Sequence, residues 1–325
     1  MIRTPRFWYQ PRGMMAFGLW PLGMLYAAAT ARRQRGDKAV TRISCPVICI
    51  GNINVGGTGK TPATIAMAEH LQERGHRVVV LSRGYGGTVK APTLVNPQLH
   101  GAGQVGDEPL LIAAFCLVVV SRKRATGLAL ALEQNPDVIL LDDGFQDPSI
   151  RKDFSIVVVN AALGFGNGFC IPAGPLREPL EVGLKRADLC ISIGGVSDQK
   201  RFKVPLIVPH LTAEVKPLLT GMRWKGVAVF AFAGIAHPEK FFATLRGLGA
   251  KILGYEALSD HEPLSASLMK RLTAKAKSLN AQLVCTEKDA ARLPVEYRLD
   301  VLALPVRLEV ADWSKIDAKL ADLGL

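Results

Sequence analysis

Apolar and polar positions along the chain follow two periods. Short β-branched runs recur at residues 45–51 (CPVICIG), 77–82 (RVVVLS), 137–141 (DVILL) and 188–193 (DLCISI). Each is apolar almost throughout, which marks a strand covered on both faces of a parallel sheet. Between the first two, Ile65, Ala66, Ala68 and Leu71 keep helical spacing, and Gly75 ends the helix. Strand, helix, strand in that order predicts a βαβ unit. The pattern then restarts. Residues 226–233 (GVAVFAFA) predict a strand, followed by a helix through Phe241, Phe242 and Leu245. Strand-like stretches at 251–254 and 283–286 flank a helix around 263–279, so a second α/β unit is expected, with its linker near residues 205–225.

Length fits this division, because 325 residues exceed one ordinary core. The expected organisation is an N-terminal segment over 1–35, a catalytic unit over 36–210 and a smaller α/β unit over 211–325. The last helix of the smaller unit has the option of packing back on the first. A composition of 49% hydrophobic and 21% charged residues excludes disorder. The six cysteines are scattered without CxxC pairs, which excludes a disulfide framework and zinc spacing and points to a reducing, cytoplasmic setting.

Residues 14–29 (MMAFGLWPLGMLYAAA) break the pattern, being uncharged and mostly apolar between arginines. A signal peptide, a spanning helix and a helix or helical hairpin lying in a membrane interface all compete for this segment. A fourth reading packs it on its own domain. Gly18, Pro21 and Gly23 interrupt the run and shorten it for spanning, and a nucleotide site close behind disfavours export. The interfacial reading is preferred, with Trp8, Tyr9, Trp20 and Tyr26 at headgroup depth. The net charge of +12 supports it, because Arg3, Arg6, Arg12, Arg32, Arg33, Arg35 and Lys38 crowd this end. An anionic membrane surface is therefore an expected partner. Nucleic acid is not, since aromatics make up only 6% and no nucleic-acid module is present. No obligate protein partner is expected.

The first βαβ unit carries the chemistry. Asn54-Val55-Gly56-Gly57-Thr58-Gly59-Lys60-Thr61 joins its first strand to its helix. Glycines let backbone N–H groups turn inward around phosphate oxygens, and the helix N-terminus adds partial positive charge. Lys60 reaches the β- and γ-phosphates of a nucleotide, and the Thr61 hydroxyl is placed for Mg²⁺. The common G-x-x-x-x-G-K-[ST] pattern has glycine where this chain has Asn54. At the end of the 137–141 run, Asp142 and Asp143 occupy the place of a Mg²⁺-linked carboxylate in such proteins, and only one is expected to face the metal directly. Three further polar clusters, SRGYGG at 82–87, VGDEP at 105–109 and PAGPLREP at 172–179, read by themselves as turns or caps.

Read together, these motifs resemble the tetraacyldisaccharide 4′-kinase (lipid A 4′-kinase) family. VGGTGKTP at 55–62, SRGYGG, VGDEP, DDGFQ at 142–146, PAGPLREP, FAGIAHPEKFF at 232–242, SDH at 259–261 and TEKDAARLP at 286–294 run in family order. The resemblance implies a P-loop NTPase-type domain with a mostly parallel sheet, a smaller second α/β domain, and a membrane-associating N-terminal helical segment. It implies transfer of the γ-phosphate of ATP to the 4′-hydroxyl of a tetraacylated glucosamine disaccharide 1-phosphate in lipopolysaccharide biosynthesis, at the cytoplasmic face of the inner membrane. By the same resemblance Lys60 and Thr61 hold ATP and Mg²⁺, and Asp107 is the general base, supported by His261. Asp142, Asp143 and Glu178 are then metal-linked and Arg177 contacts phosphate. Two departures stand out: Asp147 follows Gln146 where the family commonly has His, and Gly87 stands where Arg is frequent. The competing reading is a membrane-cycling, partition-type ATPase switch, but such loops carry lysine where this chain has Val55.

Overall fold

The computed structural model of the protein describes residues 5–35, 43–203, 207–218, 220–235, 237–259 and 262–325. The apolar runs become strands, and the helical periods between them become helices. In chain order the strands are β1 (Val47–Gly51), β2 (Val78–Ser82), β3 (Thr93–Leu94), β4 (Leu117–Val120), β5 (Val138–Asp142), β6 (Phe154–Asn160) and β7 (Leu189–Ile193). They continue with β8 (His210–Pro217), β9 (Ala228–Ala233), β10 (Lys251–Ala257), β11 (Gln282–Thr286), β12 (Val301–Leu304) and β13 (Val306–Val310). The α-helices are α1 (Met14–Arg35), α2 (Lys60–Glu73), α3 (Ala102–Val105), α4 (Asp107–Ile112), α5 (Arg124–Leu132) and α6 (Leu180–Leu184). The remaining five are α7 (Val196–Arg201), α8 (Pro238–Gly247), α9 (Ala266–Ser278), α10 (Glu287–Ala291) and α11 (Ser314–Asp322).

Among the described residues the strands form two sheets, one of nine strands ordered β13-β8-β7-β6-β1-β5-β2-β4-β3 and one of four ordered β10-β9-β11-β12. In the large sheet only β3 and β13 run antiparallel to their neighbours. The period of two along each strand sends alternate residues to opposite layers. Ile48 and Ile50 of β1 join α2, α4 and α11 on one face, while Val47 and Cys49 join α5 and α6 on the other. In the small sheet, Phe230 and Phe232 meet α9, and Val229, Ala231 and Ala233 meet α8.

The division of the chain differs from the expectation over 205–225 and at β13, while the last helix packs back on the large sheet. β8 lies inside the expected linker, pairs in parallel with β7 and carries β13 antiparallel on its outer side. Leu211 and Ala213 alternate inward from β8, and Ile316 and Leu320 of α11 complete the same core. The small sheet therefore occupies only the stretch between Ala228 and Leu304, and the chain returns to the large sheet afterwards. Trp313 stacks on His70 of α2 with ring centroids 3.7 Å apart, and Asp317 of α11 accepts from or pairs with both His70 and Arg74 at 2.7 Å.

Residues 14–35 form one helix of 22 residues with Pro21 inside it, not a hairpin. Over Met14–Gln34 it is long and apolar enough to cross a membrane by length and composition. Ala16 and Thr30 are buried, and a side chain at Gly23 would meet the Cys170 carbonyl, so this side of the helix lies on the 169–173 loop. The rest of its surface exposes Met14, Met15, Phe17, Trp20, Leu22, Met24 and Leu25, with the Phe17 ring edge-on to Phe169 at 5.7 Å. The expectation for the aromatics needs correction at two positions. Trp8 is buried and donates Nε1–H to the Pro172 carbonyl at 2.9 Å, and Tyr26 packs on the core beneath α5 and α6. Both fasten the segment to the protein because their apolar rings find cover in the fold itself. Of the four aromatics placed at headgroup depth, Trp20 is the one on the exposed side.

Candidate active site

The parallel strands deliver their carboxyl ends to one edge, where α/β sheets hold ligands. β1 ends at Gly51 between β5 and β6, so the loop 52–59 leaves the sheet beside Asp142. Asn52 is fully buried and donates Nδ2–H to the Thr58 hydroxyl at 3.0 Å, closing the loop on itself. Asn54 donates to the Gly164 carbonyl at 3.0 Å, and the Val55 amide donates to the Pro175 carbonyl at 2.8 Å. These bonds anchor the first residues of the loop to the neighbouring 161–176 segment. They give Asn54 a use in a place where the common pattern has glycine. Gly59 then turns with φ 94° and caps α2, a conformation that favours glycine. Lys60 and Thr61 follow in the first turn of the helix, with Thr61 buried.

Asp142 and Asp143 point apart, as adjacent residues at a strand end do. Asp142 is 3% exposed and accepts from the Ser82 hydroxyl at 2.9 Å through one oxygen, while its Oδ1 has no protein partner. Burial pushes its pKa up to about 6, with the negative charges of Glu108 and Asp143 adding to the rise and Lys60 opposing it. Asp143 takes the left-handed backbone (φ 50°) and accepts from Arg177 Nη1 at 2.8 Å, with Lys60 Nζ at 3.7 Å from the same oxygen. Desolvation would raise its pKa, but Lys60 and Arg177 outweigh it and hold the carboxyl below its ordinary range. Sequence reasoning placed Arg177 on phosphate; here it is bound to Asp143 and also donates to Gln146 Oε1 at 3.3 Å.

Glu178 sits elsewhere in this arrangement. It is 1% exposed, pairs with Arg186, accepts from Gln146 Nε2 at 3.0 Å and accepts from Gln34 of α1 at 3.4 Å. Both of its oxygens are occupied by protein donors, so it braces α1, the 142–146 loop and the residues just after α6 together. No group of three His, Cys, Asp or Glu side chains that could hold a metal occurs among the described residues. The donor set that fits Mg²⁺ is smaller than the expected one: the Thr61 hydroxyl and the unpartnered Oδ1 of Asp142, with Asp143 alongside, are hard oxygen ligands of the kind that ion takes.

The glycine clusters are explained by packing. SRGYGG and VGDEP form one interlocked unit: a side chain at Gly87 would lie 2.4 Å from the Gln104 carbonyl oxygen, and one at Gly106 (φ 92°) would lie 2.7 Å from that of Tyr85. Gly87 is thus demanded by its neighbours, and no larger residue fits there without moving α3. This unit sets Asp107 at the start of α4, where it is 7% exposed and accepts from the Glu108 amide at 3.1 Å. Lys288 of α10, from the small sheet, reaches both acids, 3.7 Å from Asp107 Oδ2 and 3.6 Å from Glu108 Oε1. His261, the expected helper of Asp107, lies outside the described residues.

Sequence reasoning passed over Arg124, and it quoted Ser82 and Lys288 only within the SRGYGG and TEKDAARLP runs, without a role. Arg124 opens an apolar helix and would pass for a solvated residue, yet it is 3% exposed and donates to the carbonyls of Asp142 and Asp143. Its only sequence signal is a lone cation within an otherwise apolar α5. The described charges form a connected series from the small sheet to the 172–179 loop, with one like-charge step between Glu108 and Asp142. Lys288 meets Asp107 and Glu108, Glu108 faces Asp142, and Lys60 lies between Asp142 and Asp143, which binds Arg177.

The chain matches the model of the tetraacyldisaccharide-1-P 4′-kinase family over residues 15–324. It is 53% identical over 321 residues to the tetraacyldisaccharide 4′-kinase of Jannaschia sp. (strain CCS1), covering 98% of each chain. It is 52% identical to the enzyme of the same name from Dinoroseobacter shibae, covering 99% of this chain and 98% of that one. Among solved structures it resembles LpxK from Aquifex aeolicus in complex with ATP, with a TM-score of 0.78 and 26% identity over 95% of this chain and 99% of that one. The full-length match to the family model and two relatives above half identity agree with the order of motifs along the sequence: this chain belongs to the tetraacyldisaccharide 4′-kinase family.

Proposed function

We propose that the chain transfers the γ-phosphoryl group of ATP to the 4′-hydroxyl of a tetraacylated glucosamine disaccharide 1-phosphate, the lipid A precursor, at the cytoplasmic face of the inner membrane. The observation that carries this reading is the line of charged side chains, which joins a phosphate loop to a second carboxylate group held from the other sheet. A nucleotide switch needs the loop; an alcohol kinase also needs a base for the acceptor. In this reading Asp107 takes the proton of the acceptor hydroxyl, with His261 in support. The freed oxygen attacks the γ-phosphorus, the bond to the β–γ bridging oxygen breaks, and ADP leaves. Lys60 stands against the negative charge gathering on the transferred oxygens. Thr61 and Asp142, with Asp143 alongside, would hold Mg²⁺, which would add positive charge beside the phosphates.

The exposed apolar side of α1 supports placement on lipid. Residues Met14, Phe17, Trp20, Leu22 and Leu25 offer it an apolar surface, with Arg12 before the helix and Arg32 and Arg33 in its last turns. Arg12 is itself tied to the protein, donating Nε–H to the Asn167 carbonyl at 2.9 Å. Labelled ATP incubated with a lipid A disaccharide acceptor tests the reaction. Transfer of label to the acceptor is expected, and hydrolysis without transfer favours the ATPase switch. Asp107→Ala should lower turnover by about two to four orders of magnitude while leaving ATP affinity in place. Equal losses of both would assign Asp107 to the nucleotide site instead.

A further inference from the structure

We infer that Asp147, acting through Arg124, is a positioning residue that holds the Asp142–Asp143 peptide in the conformation the acid pair requires. The inference rests on the proposed metal-linked role of that pair. Arg124 Nη2 donates to the Asp142 carbonyl at 2.6 Å and to the Asp143 carbonyl at 3.0 Å, while Nη1 donates to Asp147 Oδ2 at 3.2 Å. One buried guanidinium therefore ties the last residue of β5, the residue after it and a carboxylate beyond the DDGFQ run.

The constraint matters because of what Asp143 does. Its φ of 50° is a conformation that a residue with a side chain keeps only when its surroundings impose it. That turn sends the Asp142 carboxylate to Ser82 and the Asp143 carboxylate to Arg177 and Lys60. A peptide released from Arg124 can rotate, and both carboxylates rotate with it. Arg124 holds its place because a buried cation needs a counter-charge. Asp143 is already committed to Arg177 and Lys60, so Asp147 is the carboxylate that pairs with Arg124. Asp147 is fixed in turn. Its Oδ1 accepts from the Ser149 amide at 3.0 Å and hydroxyl at 2.6 Å, and its carbonyl accepts from Lys152 Nζ at 2.5 Å. Desolvation would raise the Asp147 pKa, but the Ser149 hydrogen bonds and Arg124 hold it below the ordinary range, so the counter-charge persists at neutral pH.

A fluorescent ATP analogue titrated with and without Mg²⁺ reads the arrangement without relying on turnover. In the wild-type chain Mg²⁺ should tighten binding. In Asp147→Ala this Mg²⁺-dependent gain should shrink about tenfold, while Mg²⁺-free affinity, set by the phosphate loop, stays. Arg124→Lys keeps the charge but loses the fork and should show the same loss, with the double variant no worse than either single one. An Asp147→Ala chain with the full gain overturns the inference, as does one that loses Mg²⁺-free and Mg²⁺-dependent binding in parallel. A wild-type chain whose ATP binding ignores Mg²⁺ overturns the acid-pair reading, and the inference with it.

Discussion

Each sheet carries a buried carboxylate just where its strands stop, and the two are satisfied differently. Asp289, in α10 behind β11, has no exposed surface. It accepts from the Gly234 amide at 3.1 and 3.2 Å and from the Thr286 hydroxyl at 2.7 Å, and it pairs with Arg292. Asp142, at the end of β5, has Ser82 on one oxygen, no protein partner on the other, and Glu108 and Asp143 as repelling neighbours. Both oxygens of Asp289 are consumed in closing the small sheet's loops. Asp142 keeps one free for chemistry. A carboxylate that completes a fold and one that serves a reaction can thus share burial and strand position, and differ only in whether protein donors fill them.

The strongest way to break this comparison is Asp289→Asn. The neutral amide leaves Arg292, itself nearly buried, without its counter-charge and puts an N–H₂ where acceptors stood. Losing one member of a buried pair costs about 3–5 kcal/mol. Urea unfolding should show that loss at neutral pH. A change below about 1 kcal/mol would mean that the network around Asp289 reorganises freely, contrary to its reading as a structural pair.

Asp142→Asn should act in the opposite direction. The folded chain raises this group from its ordinary 3.8 to about 6, so folding favours its protonated form. Stability from this group therefore falls as pH rises from about 4 to about 6, and the cost of keeping it charged is complete above that range. The amide removes that cost. Without Mg²⁺, the variant should be about 1–3 kcal/mol more stable than wild type at pH 8 and no different near pH 4. Phosphate transfer should fall sharply in the same variant. A less stable variant at pH 8 would place Asp142 in the same class as Asp289.

Sequence reasoning found this arrangement in part, and the division has a physical cause. β1, β2, β5 and β7 were legible because strands buried on both faces are written as unbroken apolar runs. The phosphate loop was legible because its backbone needs glycine at fixed offsets from Lys60. The family followed from the order of motifs, as the full-length match bears out. The pairing of β13 with β8 was hidden, because Val306 and Pro217 meet across most of the small sheet's sequence and leave no local mark. Arg124 and Lys288 were hidden for the same reason: each owes its role to a partner distant in sequence, and a lone cation on a helix looks solvated. Glu178 was assigned by resemblance to a metal, and its three protein partners could be seen only in three dimensions.

The smallest expected effect tests whether the two sheets cooperate at all. Lys288 extends from α10 to Asp107 and Glu108 of α4, so it is the described ion contact that links the small sheet to the proposed base. The Lys288 side chain is 20% exposed and its Nζ lies 3.7 Å from Asp107 Oδ2 and 3.6 Å from Glu108 Oε1, so the contact is a partly screened pair rather than a buried one. About 1 kcal/mol is the scale for such a pair, which corresponds to roughly fivefold in rate. Lys288→Met, which keeps the stem, should lower kcat by about that factor with little change in KM for ATP, and Lys288→Arg should recover most of it. An unchanged kcat would reduce α10 to a packing element, and the small sheet would then need another residue to reach the reaction. A loss confined to KM for ATP would show instead that Lys288 serves the nucleotide, and that the charge series from Lys288 to Arg177 is read from the wrong end.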